Sequence, residues 1–413
     1  MSRSHDLLGR TLTLPNGTVL PNRLAKSAMS EAMGTMDNRV TPELVRLYER
    51  WAQGGTGLLM TGNVMVDRRA LGEPGNVVVE DERDLPLLKQ WADAAKRNGA
   101  AIWMQLNHPG RQCPKGLNRE TVAPSAVGFG PEMQAFFNKP RALTEPEIEE
   151  IIARFANAAR ICKDAGFTGV QIHGAHGYLV SQFLSPLTNQ RTDRWGGSAE
   201  NRRRFVLSLL QAVRKAVGKD FPIGIKLNSA DFQRGGFEEA ESLEVITALS
   251  EAGIDLIEIS GGTYEAPAMA GLKASTKARE AYFLSFAEQV RQRVKTPLMV
   301  TGGFRSSGAM GEALKSGALD LIGLARPLAI EPDASKRLLA GGEMLHKVKP
   351  IKTGIKPIDK AGLMEVMWYT RQLKRMGRGK DPRPDESGLY SFLCTLAGNI
   401  SGTVKTRRAR ATG

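Results

Sequence analysis

The feature that most constrains this chain is an alternation: between about residue 20 and residue 330, short apolar runs are each followed by an amphipathic stretch of helical length, eight times over. Runs this short and this uniformly apolar suit parallel strands buried on both faces, and the stretch after each one supplies the helical crossover that parallel pairing requires. The eight strand candidates are Arg23–Ala28, Gly57–Thr61, Ala101–Leu106, Gly169–His173, Ile223–Leu227, Leu256–Ser260, Leu298–Thr301 and Leu321–Leu324. Helix starts are marked as well: Thr41-Pro-Glu sets a capping residue before a first-turn proline, and Thr144 with Glu147 has capping-box spacing. In the helix after Thr144, the residues Ile148, Ile151, Ile152, Phe155, Ala159 and Cys162 share a stripe that should face the sheet. Eight units over roughly 300 residues predict an α/β fold, a single (β/α)8 TIM barrel. No Gly-x-Gly-x-x-Gly opens any of the helices, which argues against a dinucleotide-binding Rossmann sheet.

Ahead of the first strand, Leu12-Thr-Leu-Pro-Asn16-Gly17-Thr-Val-Leu20 reads as a β-hairpin closed by an Asn-Gly type I′ turn, expected to plug the bottom of the barrel. We divide the chain into a barrel over 1–335 and an extension over 336–413, the latter with an amphipathic helix near 363–376 and a basic tail around Lys405–Arg410 expected to be disordered. The net charge is +14, but 17 Lys and Arg against 8 Asp and Glu fall after residue 330, so the basicity belongs mainly to the extension. Cys113, Cys162 and Cys394 are isolated, which offers neither a disulfide framework nor a CxxC metal or cluster site. No apolar run approaches the ~18 residues of a membrane helix, and no signal-peptide core follows Met1, so a soluble cytoplasmic protein is expected.

In a barrel of this kind chemistry sits at the C-terminal ends of the strands. There the sequence places Ser30, Gly62 with Asn63, Gln105, His173 with His176, Lys226, Ser260, Gly302-Gly303 and Arg326. Thr301-Gly302-Gly303-Phe304 after the seventh strand and Ala325-Arg326-Pro327 after the eighth combine close backbone approach, helix N-termini and a guanidinium, the makings of a phosphate cradle. His173-Gly-Ala-His176-Gly-Tyr178 holds two of the five histidines. It admits a metal site, two structural imidazoles, or a pair of N–H donors aimed at one substrate oxygen beside a tyrosine acid.

The run from His173 to Leu179, continued by Phe183-Leu-Ser-Pro-Leu-Thr-Asn-Gln-Arg-Thr-Asp-Arg-Trp-Gly-Gly-Ser-Ala-Glu-Asn-Arg202, resembles the Old Yellow Enzyme family of NAD(P)H:flavin oxidoreductases. The resemblance spans Asp6 to Pro332, taking in Pro21–Ser30, Gln105–Arg111, Gly224–Ser229 and the Gly302-Gly303 loop. It implies FMN across the barrel mouth. Gly302, Gly303, Phe304, Ala325 and Arg326 would hold its phosphate, Gln105 its pyrimidine edge, and Ser27, Ala28, Met29, Ser30 and Gly62 would border the ring. Lys226 would stand by N1 and O2. The implied reaction is ping-pong reduction of the activated C=C bond of α,β-unsaturated carbonyl compounds by NAD(P)H, which would use the same open face. His173 and His176 would hold the carbonyl oxygen, and Tyr178 would protonate the α-carbon.

Three departures are visible. Ser30 stands where relatives often carry Cys or Thr, Lys226 where many carry Arg, and the residues after Ser30 lack a tyrosine that some relatives have. His108 is expected to be structural, and Asn189, Arg191, Asp193 and Arg194 to fix their loop or a subunit contact in a homo-oligomer. No C-x2-C-x3-C cluster supports the iron–sulfur subgroup. Two alternatives stand beside this reading: an FMN-dependent tRNA-uridine reductase using the basic tail, and a non-catalytic flavin scaffold or sensor. The absence of a strand-end cysteine argues against the first, and a nucleic-acid partner is not expected.

Overall fold

The computed structural model describes residues 4–266, 283–355, 359 and 364–395. Among them, eight parallel strands close into a barrel in chain order: Leu24–Lys26, Leu58–Met65, Ala101–Asn107, Gly169–Gly174, Ile223–Asn228, Leu256–Ser260, Leu298–Thr301 and Leu321–Leu324. The eighth strand returns to the first, with Leu324 opposite Lys26. The expected (β/α)8 architecture is therefore present. The second strand runs on past Thr61 to Met65 because its register with the third shifts between Met60 and Asn63. Such a bulge bends a strand and re-aims its side chains, and here it presents Gly62 and Asn63 at the barrel mouth.

The capping signals act where the sequence put them. The Thr41 side chain accepts from Leu44 N–H at the start of Pro42–Gln53, and Thr144 with Glu147 forms a reciprocal capping box on Glu145–Asp164. Of the expected stripe, Ile148, Ile151, Phe155, Ala159 and Cys162 are buried, while Ile152 is half-buried at its edge.

The hairpin pairs Leu12 with Leu20 and Thr13 with Val19, leaving residues 14–18 as its loop, so the expected two-residue type I′ turn does not form. Pro15 is the reason. Its fixed φ suits the first central position of a turn in which Gly17 N–H donates to the Leu14 carbonyl at 2.9 Å, and within the loop the positive φ falls on Gly17 alone, at +87°. The plug itself is as expected: Leu12, Leu14 and Leu20 join Leu58, Met60, Trp103, Leu256, Met299 and Leu321 in one apolar cluster.

Past the barrel, the expected amphipathic helix is found at Met364–Gly377. It packs on Pro42–Gln53 and on the short helix Arg326–Ile330, with Trp368 and Leu373 buried and the Gly377 carbonyl accepting from Arg46 at 2.7 Å. Burying a leucine side chain contributes about 1.5–3 kcal/mol, which ties this helix to the barrel wall. The piece that follows leaves Leu389, Tyr390 and Leu393 exposed. The basic tail lies outside the described residues. Among the described residues no helix is long and apolar enough to cross a membrane.

Candidate active site

The strand ends carry a buried polar floor. Gln105 Nε2 donates to Gln171 Oε1 at 2.8 Å, and Gln171 Nε2 donates to Glu258 Oε2 at 2.7 Å. The other oxygen of Glu258 lies 2.9 Å from Lys226 Nζ and accepts from Thr301 Oγ1 at 2.7 Å and from Ser27 Oγ. Lys226 also donates to Ser27 Oγ at 3.3 Å. This chain of amides fixes the Gln105 side chain with its carbonyl oxygen left to offer, an acceptor suited to an imide N–H. Burial alone would raise the Glu258 carboxyl, but the Lys226 charge and the two hydroxyls outweigh it and hold the group below its ordinary range.

On one side of this floor stands the histidine pair. His173 and His176 have ring centroids 5.3 Å apart and planes at 90°, and the Tyr178 ring lies 4.7 Å from His173. The chain turns sharply between them: His176 takes φ +62°, a left-handed conformation that costs a non-glycine residue about 1 kcal/mol or more. Two contacts hold it there. His176 N–H donates to Asn228 Oδ1 at 3.1 Å, and its Nε2 lies 2.7 Å from Ser260 Oγ. His173 Nδ1 accepts from Ala175 N–H at 3.4 Å, which puts the ring proton on Nε2. Burial, reinforced by the charge of Lys226, pushes both imidazoles down, His176 to about 3, so both rings are neutral donors at pH 7. Tyr178 moves the other way. Burial, then the neighbouring Tyr264, raises its hydroxyl well above the usual value, and that hydroxyl sits 2.9 Å from Tyr264 Oη with Asn63 as a further partner.

The opposite side has the features of an anion cradle. Gly302 and Gly303 have φ +115° and +91°, and Ser306 caps the helix Ser307–Lys315 by accepting from Ala309 N–H at 3.3 Å. Arg326 begins the next helix half-exposed, with Nη1 donating to Glu365 at 2.6 Å. Glu365 belongs to the helix after the barrel, so that helix reaches the site. It does so twice, since Thr370 Oγ1 donates to the Ser30 carbonyl at 3.2 Å.

The structure gathers the sequence-predicted residues at one end of the barrel, with differences in detail. Ser27 faces inward onto Glu258, whereas the Ser30 hydroxyl turns away to donate to Glu73. Gly62 N–H donates to Glu31 Oε1 at 2.8 Å, and a Cβ there would lie 2.4 Å from the Met29 carbonyl, so the position serves close packing beside Met29. Ala28 and Met29 are half-buried, and Phe304 is buried behind Gly303. Sequence reasoning missed Glu258, Tyr264, Glu73 and Glu365. Of these only Glu258 had a signal, a lone carboxylate inside the apolar strand Leu256–Ser260. His108 accepts from Gly110 N–H at 3.1 Å and holds the loop after the third strand. Arg191 fixes the next loop through Asp193 and the carbonyls of Pro124 and Leu143. Burial pushes the Cys113 thiol up to about 12, which makes it a poor acid, and no cluster of metal-ligating side chains occurs among the described residues.

Residues 11–343 match the model of the NADH:flavin oxidoreductase / NADH oxidase family. The chain belongs to this family. It is 38% identical over 388 residues to the NADH-dependent flavin oxidoreductase iliE of Hypocrea jecorina, covering 88% of this chain and 94% of that one. With the NADH-dependent flavin oxidoreductase iccE of Talaromyces variabilis the identity is 37% over 406 residues, 90% of this chain and 98% of that one. The old yellow enzyme homologue from Zymomonas mobilis aligns with a TM-score of 0.70 at 24% identity over 83% of this chain and 94% of that one, a likeness of fold. As a family member the chain is an oxidoreductase with FMN and a nicotinamide nucleotide as cofactors. Its own polar groups fit FMN: a glycine turn and a guanidinium at one end, an amide acceptor and an ammonium at the other.

Proposed function

We propose that this enzyme reduces the activated C=C bond of α,β-unsaturated carbonyl compounds with NAD(P)H, in two half-reactions at one face. Bound FMN supplies the hydride chemistry. Gly302, Gly303 and Arg326 hold its phosphate, with Phe304 and Ala325 shaping the turns. Gln105 and Lys226 meet the pyrimidine side, and the Ser27–Ser30 run with Gly62 borders the ring.

The observation that carries the reading is a buried imidazole, His173, set at right angles to a half-buried one, His176, both neutral, beside a protonated tyrosine. His173 offers Nε2–H. When Ser260 donates to His176 Nε2, the proton of that ring resides on Nδ1, the second donor. Two neutral donors in a buried site stabilise an enolate oxygen more than a ketone oxygen, so their effect is greatest as charge develops. Tyr178 supplies the proton to the α-carbon, its raised pKa keeping it protonated across the physiological range.

Anaerobic stopped-flow measurement tests this directly. NADH or NADPH should bleach the flavin, and a cyclic enone should then restore its colour at a saturable rate. Restoration by oxygen or quinones alone, with every enone inert, would overturn the proposal while leaving the flavin assignment intact.

A further inference from the structure

We infer that Glu258 sets the reduction potential of the flavin by compensating the charge of Lys226. The inference rests on the reading above, in which the flavin lies over Lys226. Glu258 is fully buried, and Lys226 is nearly so, their side chains exposed by 0% and 4%. The carboxylate takes four donors on two oxygens: Lys226, Thr301 and Ser27 on one, Gln171 on the other. That inventory suits the ionised form, because a carboxylic acid would have to turn one donor away to place its own proton. The pair therefore carries no net charge, in a place where water and salt screen little.

Hydride uptake puts negative charge on a flavin. A lone buried ammonium would favour the reduced state strongly, and the carboxylate 2.9 Å behind it offsets that preference. Glu258 touches none of the atoms that react. It is a positioning residue whose effect is electrostatic, so the readout is the potential of the bound flavin rather than turnover.

The test compares midpoint potentials of the FMN-loaded full chain by anaerobic dye-coupled reduction at pH 6. Glu258→Gln should shift the two-electron equilibrium toward reduced flavin at least tenfold, about 30 mV for such a couple. Glu258→Asp keeps the charge and should shift it less than threefold. In a Lys226→Met background an unpaired Glu258 takes up a proton, so adding Glu258→Gln should shift little there. A flavin-loaded Glu258→Gln protein whose potential is unchanged or lower would overturn the inference. So would a Glu258→Gln protein that refuses FMN while Glu258→Asp binds it, since the carboxylate would then serve binding. Wild-type protein that takes up no FMN would be a different failure, removing the reading beneath it.

Discussion

Replacing Tyr178 by phenylalanine removes one oxygen from a site where the hydroxyl has two partners, Tyr264 at 2.9 Å and Asn63. A positioned general acid accounts for about 10²- to 10⁴-fold in rate. The structure places the loss toward the lower end, because Tyr264 Oη remains one hydrogen-bond length further out and, as a tyrosine hydroxyl, is itself protonated at neutral pH. We therefore expect enone-driven flavin reoxidation to slow roughly 100- to 1,000-fold, about 3–4 kcal/mol in barrier. Flavin reduction by NAD(P)H needs no such proton and should stay within about threefold of wild type, smaller than one decade of rate. Tyr178→Phe combined with Tyr264→Phe should extend the loss toward the upper end. Single-turnover stopped flow resolves the two half-reactions on one sample. Equal losses in both for Tyr178→Phe would refute the assignment of Tyr178 as the proton donor and point to general disruption of the site.

Three further outcomes follow from the same geometry. Arg326→Ala should raise the Kd for FMN roughly 10- to 100-fold by removing charge-assisted hydrogen bonds to phosphate, whereas Glu365→Gln should change it less than threefold; quenching of free FMN fluorescence reads both. His108, held near 4, and His176, near 3, are neutral in the folded chain at pH values where the unfolded chain protonates them. Their folded pKa values are depressed, so this contribution is fully present above about pH 6.5 and is lost as pH falls toward those values, by up to about 1.4 kcal/mol per pH unit per imidazole. Urea unfolding at pH 7, 6 and 5 checks it, and a flat profile would contradict the buried-neutral assignment. Leu373→Ala, at a fully buried position, should cost about 2–5 kcal/mol in the same assay, and a cost below about 0.5 kcal/mol would mean the helix after the barrel is not part of its fold.

The barrel was legible because short apolar runs alternate with helix-length stretches, two of them opened by clear capping signals at Thr41 and Thr144, and because the inward and outward faces of a parallel strand both demand apolar residues. The hairpin was legible as a hairpin and misread as a turn, since the dipeptide Asn16-Gly17 was weighed without Pro15 ahead of it. The histidine pair and Tyr178 were legible because all three sit on one short local motif, whose conformation is fixed within six residues by His176 at positive φ. What the chain concealed was every partner supplied from far away. Tyr264 meets Tyr178 across a separation of 86 residues, Glu258 meets Ser27 across 231, and Thr370 meets Ser30 across 340. No local pattern encodes such contacts, which exist only once the barrel closes. The helix Met364–Gly377 shows the same limit: its amphipathic stripe announced a helix, but that one face would reach the barrel mouth through Glu365 and Thr370 required the fold.

The account turns on two neutral imidazoles facing a flavin, and a phenol reports on both partners at once. Titrating the purified yellow protein with p-hydroxybenzaldehyde should produce a broad long-wavelength absorbance band as the phenolate stacks on the ring with its oxygen between His173 and His176. The band should weaken severalfold in affinity for His173→Ala. A flavin-loaded protein that gives no such band, or a His173→Ala variant that titrates like wild type, would contradict the claim.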